Sequence, residues 1–368
     1  MKIGIPKEIK NNENRVGMLP SGVSQLVADG NTVYVEKNAA IGIGIGDDEY
    51  IKAGAVILNS LEEVFEKSDM IIKVKEPQPR EIALFRPDHL VYTYLHLSAD
   101  KELTEGLMKT GATYVAYETV TGKNGTLPLL LPMSEVAGRM GTQVGATYLQ
   151  KNYGGKGILL GGVTGTERAK VVIIGAGISG QSALKMAVGL NADVTILDID
   201  IEKLRYLDDL YGNKIKTLYS TKDNIEKSVI NADLVIGCVL LPGAKAPKLV
   251  TEEMIKKMQK GTVLVDIAID QGGCFETSKA TTHENPIYFV HDVLHYCVAN
   301  MPGAFPKTST YALNNATLGY ARALAKLGAV EACKKYPDLA NGLSILNGKL
   351  TDKTVAHDLD LPYSELKL

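Results

Sequence analysis

The ten residues VVIIGAGISG, at 171–180, constrain this chain more than any others. A β-branched run ends on Gly175, and Gly177 and Gly180 complete G-x-G-x-x-G ahead of the helix-like QSALKMAVGL. ADVTILD comes next and ends on Asp198. That order predicts a strand, a tight turn, a helix packed on the strand, and a second parallel strand. The first glycine permits the turn, the second lets backbone approach a pyrophosphate, and the third lets helix and strand touch. The helix N-terminus, including Ile178 and Ser179, supplies N–H donors to phosphate. A carboxylate at Asp198 can accept both ribose hydroxyls and repels a 2′-phosphate, so NAD is expected rather than NADP. A structural glycine turn beside an unrelated acid is the plainer alternative, and the complete strand–turn–helix–strand order argues against it.

The rest of the chain alternates in the same way. MKIGIP, TVYVE, MIIKVK, HLVYTYLHL and TYVAYET read as strands, and PSGVSQLVADG and LEEVFEKSD as helices. Residues 134–152 carry apolar positions at helical spacing, consistent with a connecting helix. From Ala169 a second block begins, with strands expected at AKVVIIG, ADVTILD, IKTLYS, ADLVIGCV, GTVLVDIAID and IYFVHDV. Beyond Pro302 a helical segment carries the chain back towards the first block. The expectation is an α/β protein of two Rossmann-like doubly wound domains with a cleft between them, the first discontinuous. Residues 1–128 and 303–368 would form one domain and 129–302 the other; at 368 residues a single core is disfavoured. The glycines of IGIGIGDDEY (41–50) lack a strand–turn–helix context and read as a surface turn.

Bulk properties narrow the partners. A formal charge of −2 gives no electrostatic case for nucleic acid or a membrane surface. The four cysteines show neither CxxC nor metal-like spacing, as expected for reduced thiols. MKIGIPKE meets a charged pair before an apolar run can form, and GILLGGV is too short to span a bilayer. A cytoplasmic protein is expected. His291 and His295 show i,i+4 spacing without a third ligand, so no metal site is expected.

In open α/β sheets, ligands collect beyond the carboxyl ends of strands. Lys75, His96 and Asp270 end MIIKVK, VYTYLH and VLVDIAID, and Arg15 lies in the loop after the first strand. This set suits a small 2-amino or 2-oxo acid. Arg15 can hold a carboxylate through a planar fork, and Lys75 can polarise a 2-oxo group. His96 titrates near neutrality and can trade a proton at C2, while Asp270 can bridge cofactor ribose and substrate amine. Each has a plainer alternative: a solvated arginine, a strand-exit lysine, a core histidine, a turn-initiating aspartate. The case rests on the four together.

GIPKEIKNNENRVGMLPSGV, KVKEP, YLHLSAD, LPMSEVAGRMG, the fingerprint, VDIAIDQGG and HYCVANMPGAFPKTSTYALNNAT occur in order along the chain. On these anchors the chain resembles the alanine dehydrogenases, which share their fold with part of the nicotinamide nucleotide transhydrogenases. The resemblance implies reversible oxidative deamination of L-alanine to pyruvate and ammonium with NAD, with Arg15 and Lys75 on the substrate and His96 and Asp270 catalytic. For the cofactor it implies Met133, Ser134, Ile178, Ser179, Asp198, Lys203, Ser220, Val239, Leu240, Ile267, Asp270, Lys279 and the segment Val298, Ala299, Asn300 and Met301. It also implies a homo-oligomer, commonly a hexamer. Asn191 stands where the family often has glycine, Lys279 where arginine is common, and Phe305 and Lys307 where valine and arginine are usual. Rival readings are a transhydrogenase nucleotide-binding component, another small-amino-acid dehydrogenase, and a non-catalytic NAD sensor.

Overall fold

Short apolar runs rich in β-branched and aromatic residues make strands of a parallel sheet. The computed structural model describes residues 1–239 and 246–368. Six such runs form β1 (Lys2–Ile5), β2 (Thr32–Glu36), β3 (Val56–Leu58), β4 (Met70–Ile72), β5 (Leu90–Thr93) and β6 (Thr113–Ala116). They lie in the order 6-5-4-1-2-3, all parallel. Strand order reverses between β1 and β4, which pair directly through Ile3 with Met70 and Gly4 with Ile71. β4, β5 and β6 are buried at every position, so helices must cover both faces. Leu61 and Phe65 of the helix Leu61–Lys67 and Leu103 and Leu107 of the helix Lys101–Lys109 cover one of them, packing in one core with the register partners Val91 and Tyr114.

The second sheet comprises β7 (Lys170–Ile174), β8 (Asp193–Asp198), β9 (Ile215–Tyr219), β10 (Leu234–Gly237), β11 (Val263–Asp266), β12 (Ile287–Val290) and β13 (Val293–Tyr296). Its order is 12-13-11-10-7-8-9, parallel except for the edge strand β12. The reversal here falls between β7 and β10. After a long helical stretch, Pro306–Lys335, the chain adds β14 (Leu343–Leu346) antiparallel to β6, and β15 (Lys349–Leu350) beyond it. The compact units are accordingly Met1–Met133 with Phe305–Leu368, and Ser134–Ala304. Among the described residues, no helix is long and apolar enough to cross a membrane.

Several elements differ from expectation. IYFVHDV is not one strand but the first arm and turn of a hairpin, because His291 and Asp292 both take positive φ (51° and 62°), as a tight two-residue hairpin turn demands. The strands ending MIIKVK, VYTYLH and VLVDIAID stop earlier, at Ile72, Thr93 and Asp266. The connecting helix runs Leu131–Tyr148. The long helix is broken at Gly328 (φ 73°, ψ 170°), which only glycine adopts readily. IGIGIG is less of a surface turn than its composition suggests, since Ile43 and Ile45 are buried. Asn191 does take the left-handed conformation of the glycine it stands for, at φ 61°.

Candidate active site

The first unit gathers Arg15, Lys75 and His96 beyond the carboxyl ends of β1, β4 and β5, around its point of strand-order reversal. None is a strand terminus; each sits on the irregular backbone just past one. Lys75 is buried, with its Nζ 3.3 Å from His96 Nε2 and 3.3 Å from a Glu76 carboxylate oxygen. Glu76 also pairs with Lys10. Burial alone would raise the Glu76 carboxyl, but Lys75 and Lys10 outweigh it and hold it down at about 2.

His96 is not the core histidine its strand context allowed: it is exposed, in a left-handed conformation (φ 52°, ψ 39°) that opens a short 3-10 turn. A non-glycine residue there costs about 1–3 kcal/mol. Glu118 offsets this by accepting the backbone N–H groups of Leu95 (3.0 Å) and His96 (2.5 Å). The imidazole stacks on Tyr94, with ring centres 5.8 Å apart and planes within 9°. Tyr94 in turn donates to the Leu129 carbonyl at 2.6 Å, and burial pushes its phenol well up.

Arg15 corrects its own expectation. It is 2% exposed rather than solvated, and its fork is already occupied. Nε and Nη2 donate to the two carboxylate oxygens of buried Glu13 at 2.7 and 2.6 Å, while Nη1 reaches the Met133 sulfur at 3.2 Å. A thioether is a weak acceptor. The Nε–Nη2 fork is thus engaged within the protein, on Glu13.

Glu8, Lys73 and Glu81 were invisible to motif reading. Glu8 accepts from Lys73 Nζ at 3.0 Å and from the Val74 backbone at 2.6 Å, and Lys73 also pairs with Glu81. All three are buried. Desolvation lowers and its two carboxylate partners raise Lys73, which ends at about 12. The clue available in the sequence was charge inside an apolar run, KVKEP directly after MII.

In the second unit Gly175 follows β7 at φ 102°. A β-carbon on Gly180 would collide with the Gly175 carbonyl oxygen, so the third glycine is sterically required. Gly177 caps the helix Ile178–Gly189, and a β-carbon there would meet no neighbouring atom within 4 Å. The intrahelical ladder starts with Gln181 N–H to Gly177 O, which leaves the N–H groups of Ile178, Ser179 and Gly180 ahead of it. That is a fitting cradle for pyrophosphate. Val239 and Cys238, after β10, line Gly175 from the other side of the strand reversal.

Asp198 is less solitary than expected. Its Oδ2 accepts the Ala176 N–H inside the glycine turn at 2.5 Å, and Oδ1 the Asp200 N–H at 2.8 Å. Each oxygen keeps a further lone pair for a ribose hydroxyl. Ser220 joins through its N–H to the Asp198 carbonyl, and Lys203 pairs with Asp200 at 3.4 Å. Asp270 lies in the short 3-10 helix Ile267–Gln271 rather than at a strand end, and its carboxylate accepts the Asn300 N–H at 3.2 Å. Val298 and Ala299 are tied to Thr281, and Met301 is buried. Asp266, also missed, organises the turn after the 3-10 helix by accepting from Cys274, Phe275 and Ser278. Ser134 is half-buried near the start of its helix, and Lys279 is exposed with its backbone N–H on Tyr288. Leu240 lies outside the described residues.

His291 pairs with Glu252, and His295 is held between Thr277 and the Val293 carbonyl. Among the described residues no cluster suited to a metal ion is present.

A glycine cradle at one strand reversal, with an acid placed for ribose, defines a nicotinamide-nucleotide oxidoreductase of the doubly wound type. The chain matches the family model "Alanine dehydrogenase/PNT, C-terminal domain" over residues 141–353 and "Alanine dehydrogenase/PNT, N-terminal domain" over 4–137. It belongs to the alanine dehydrogenase/PNT family. It is 56% identical to the alanine dehydrogenase of Methanococcus maripaludis over 365 residues, covering 99% of this chain and 98% of that one. With that of Bacillus subtilis the figures are 54%, 99% and 96%. A solved L-alanine dehydrogenase superposes with a TM-score of 0.95 at 49% identity, covering 98% of this chain and 99% of that one. A transhydrogenase from Sinorhizobium meliloti reaches 0.82 at 25% identity, covering 96% and 99%.

Proposed function

We propose that this chain is an alanine dehydrogenase that interconverts L-alanine and water with pyruvate and ammonium, using NAD. The observation that carries the reading is the Arg15, Lys75 and His96 cluster, found beside a family match that spans nearly the whole chain. The Arg15 guanidinium orients the substrate carboxylate, and Lys75 steadies the oxygen at C2 as a point charge. A nicotinamide nucleotide held by the Gly175–Gly180 turn and Asp198 would supply the hydride chemistry, as acceptor in deamination and donor in amination. His96 Nε2 takes the proton of the water that adds to the iminium carbon, and gives it back in the reverse direction. Asp270, steadied by the Asn300 N–H, favours the cationic nitrogen of substrate by charge. Asp198 at the ribose supports NAD over NADP.

We take the protein to act in the cytoplasm as a homo-oligomer, hexameric by resemblance; its four buried free cysteines suit a reducing compartment. Transhydrogenase activity is the second reading, favoured only by the likeness to the Sinorhizobium meliloti structure. NADH absorbance with pyruvate and ammonium tests both. Turnover with pyruvate, faster with NADH than NADPH, is expected; oxidation that requires a second nucleotide would overturn the reading. His96→Ala should keep NADH binding and lose roughly 10²–10⁴ in kcat.

A further inference from the structure

The proposed role of His96 leaves open which ring nitrogen carries its proton, and the surroundings of Lys75 bear on that. Lys75 Nζ sits 3.3 Å from His96 Nε2. An ammonium has three donors and no acceptor. A proton on Nε2 would set two donors against each other at that distance, and a doubly protonated ring would add charge repulsion. A lone pair on Nε2 turns the same contact into a charge-assisted hydrogen bond. Charge also holds Lys75 near this place in the resting state. Its Nζ is 3.3 Å from a Glu76 oxygen, and the second Glu76 oxygen is held by Lys10. The backbone on either side is fixed as well. Glu8 accepts the Val74 N–H, Thr93 donates to the Lys75 carbonyl at 2.9 Å, and Glu118 holds the His96 N–H.

We infer that resting His96 is a neutral imidazole with its proton on Nδ1 and its Nε2 lone pair on the Lys75 ammonium. Glu76 is the positioning residue that maintains this arrangement. The resting enzyme is therefore set as a base. In deamination the Lys75 ammonium turns to the oxygen of the attacking water, and the Nε2 lone pair so released takes that water's proton as the oxygen bonds to the iminium carbon, leaving an imidazolium. For amination the ring must first be loaded with that proton. Glu76 acts through Lys75 and is not assigned a contact with substrate.

The inference rests on the acid–base role of His96, but its test does not need turnover. In full-length enzyme with ¹⁵N-labelled imidazoles, the His96 signals are identified by their loss in His96→Gln. A protonated, pyrrole-like Nδ1 and a bare, pyridine-like Nε2 are expected above the titration of the ring. The opposite tautomer, or an even average of the two, would overturn the inference whatever His96→Ala does to the rate. Glu76→Gln should shift the signals towards an average and reduce kcat/KM for pyruvate about 10- to 100-fold, mostly through KM, with NADH affinity unchanged. Glu76→Asp should recover part of both. A Glu76→Gln enzyme with the wild-type tautomer and wild-type KM would remove Glu76 from the assignment.

Discussion

The candidate sites of the two units are built of opposite materials. The first unit's site is made of buried side-chain charge, with Arg15 on Glu13, Lys73 between Glu8 and Glu81, and Lys75 on Glu76. The second unit's site is made of backbone, with a glycine turn, helix N–H groups, and carboxylates (Asp198, Asp266, Asp270) that hold main-chain donors. A small acid offers few atoms, so fixed charges must supply its orientation. A dinucleotide offers a long phosphate and ribose outline that shape can read. Every cation of the first unit's cluster carries an anion of its own, so the site presents direction rather than bulk positive charge.

The sharpest break of that contrast is Lys73→Met. It strands Glu8 and Glu81 in the interior, and losing one partner of a buried network costs about 3–5 kcal/mol. Urea unfolding should register that loss. NADH affinity of the folded fraction should hold. The converse is Gly180→Val, which drives a side chain into the Gly175 carbonyl. Such overpacking costs about 1–3 kcal/mol; borne by the cradle, it would lower NADH affinity measured by fluorescence roughly fivefold to over a hundredfold. An unchanged affinity would mean the cradle is not the nucleotide's site.

The last test is in acid. The Glu76 carboxyl falls from 4.5 to about 2 on folding, so its stabilisation is complete above 4.5 and disappears as pH falls towards 2. His295 behaves differently. Burial, with a smaller push from His291, lowers it from 6.5 to about 4, so the unfolded chain takes up its proton first and stability declines between 6.5 and 4. His295→Gln should flatten the urea midpoint in the upper window, and Glu76→Gln in the lower. Flattening in the same window for both would contradict the assignment.

What could be read from residues alone divides in the same way. The glycine turn, its two strands and its acid were legible because backbone geometry restricts residue type directly. The strand-end reading put Lys75 and His96 within a few residues of where β4 and β5 stop, and Arg15 in the loop after β1, since position in a sheet needs only periodicity. Their partners were not legible. Nothing in KEIKNNENRVG distinguishes Glu13, which is buried on the arginine, from Glu8, which is buried on Lys73 and Val74. Burial of charge is decided by what packs around it, and that is set by segments far apart in the chain. The VHDV hairpin was missed because His and Asp, unlike Gly, do not announce a positive φ. β14 was missed because its partner, β6, lies more than two hundred residues earlier.

That last pairing bears on birth order. Residues 134–304 are a contiguous stretch and can complete their sheet while the ribosome is still decoding the C-terminal segment. The leading 133 residues emerge first yet lack the antiparallel border that Leu343–Leu350 provides, so they wait with the outer edge of β6 uncovered. The nucleotide fold is thus positioned to mature before the lobe that carries the histidine.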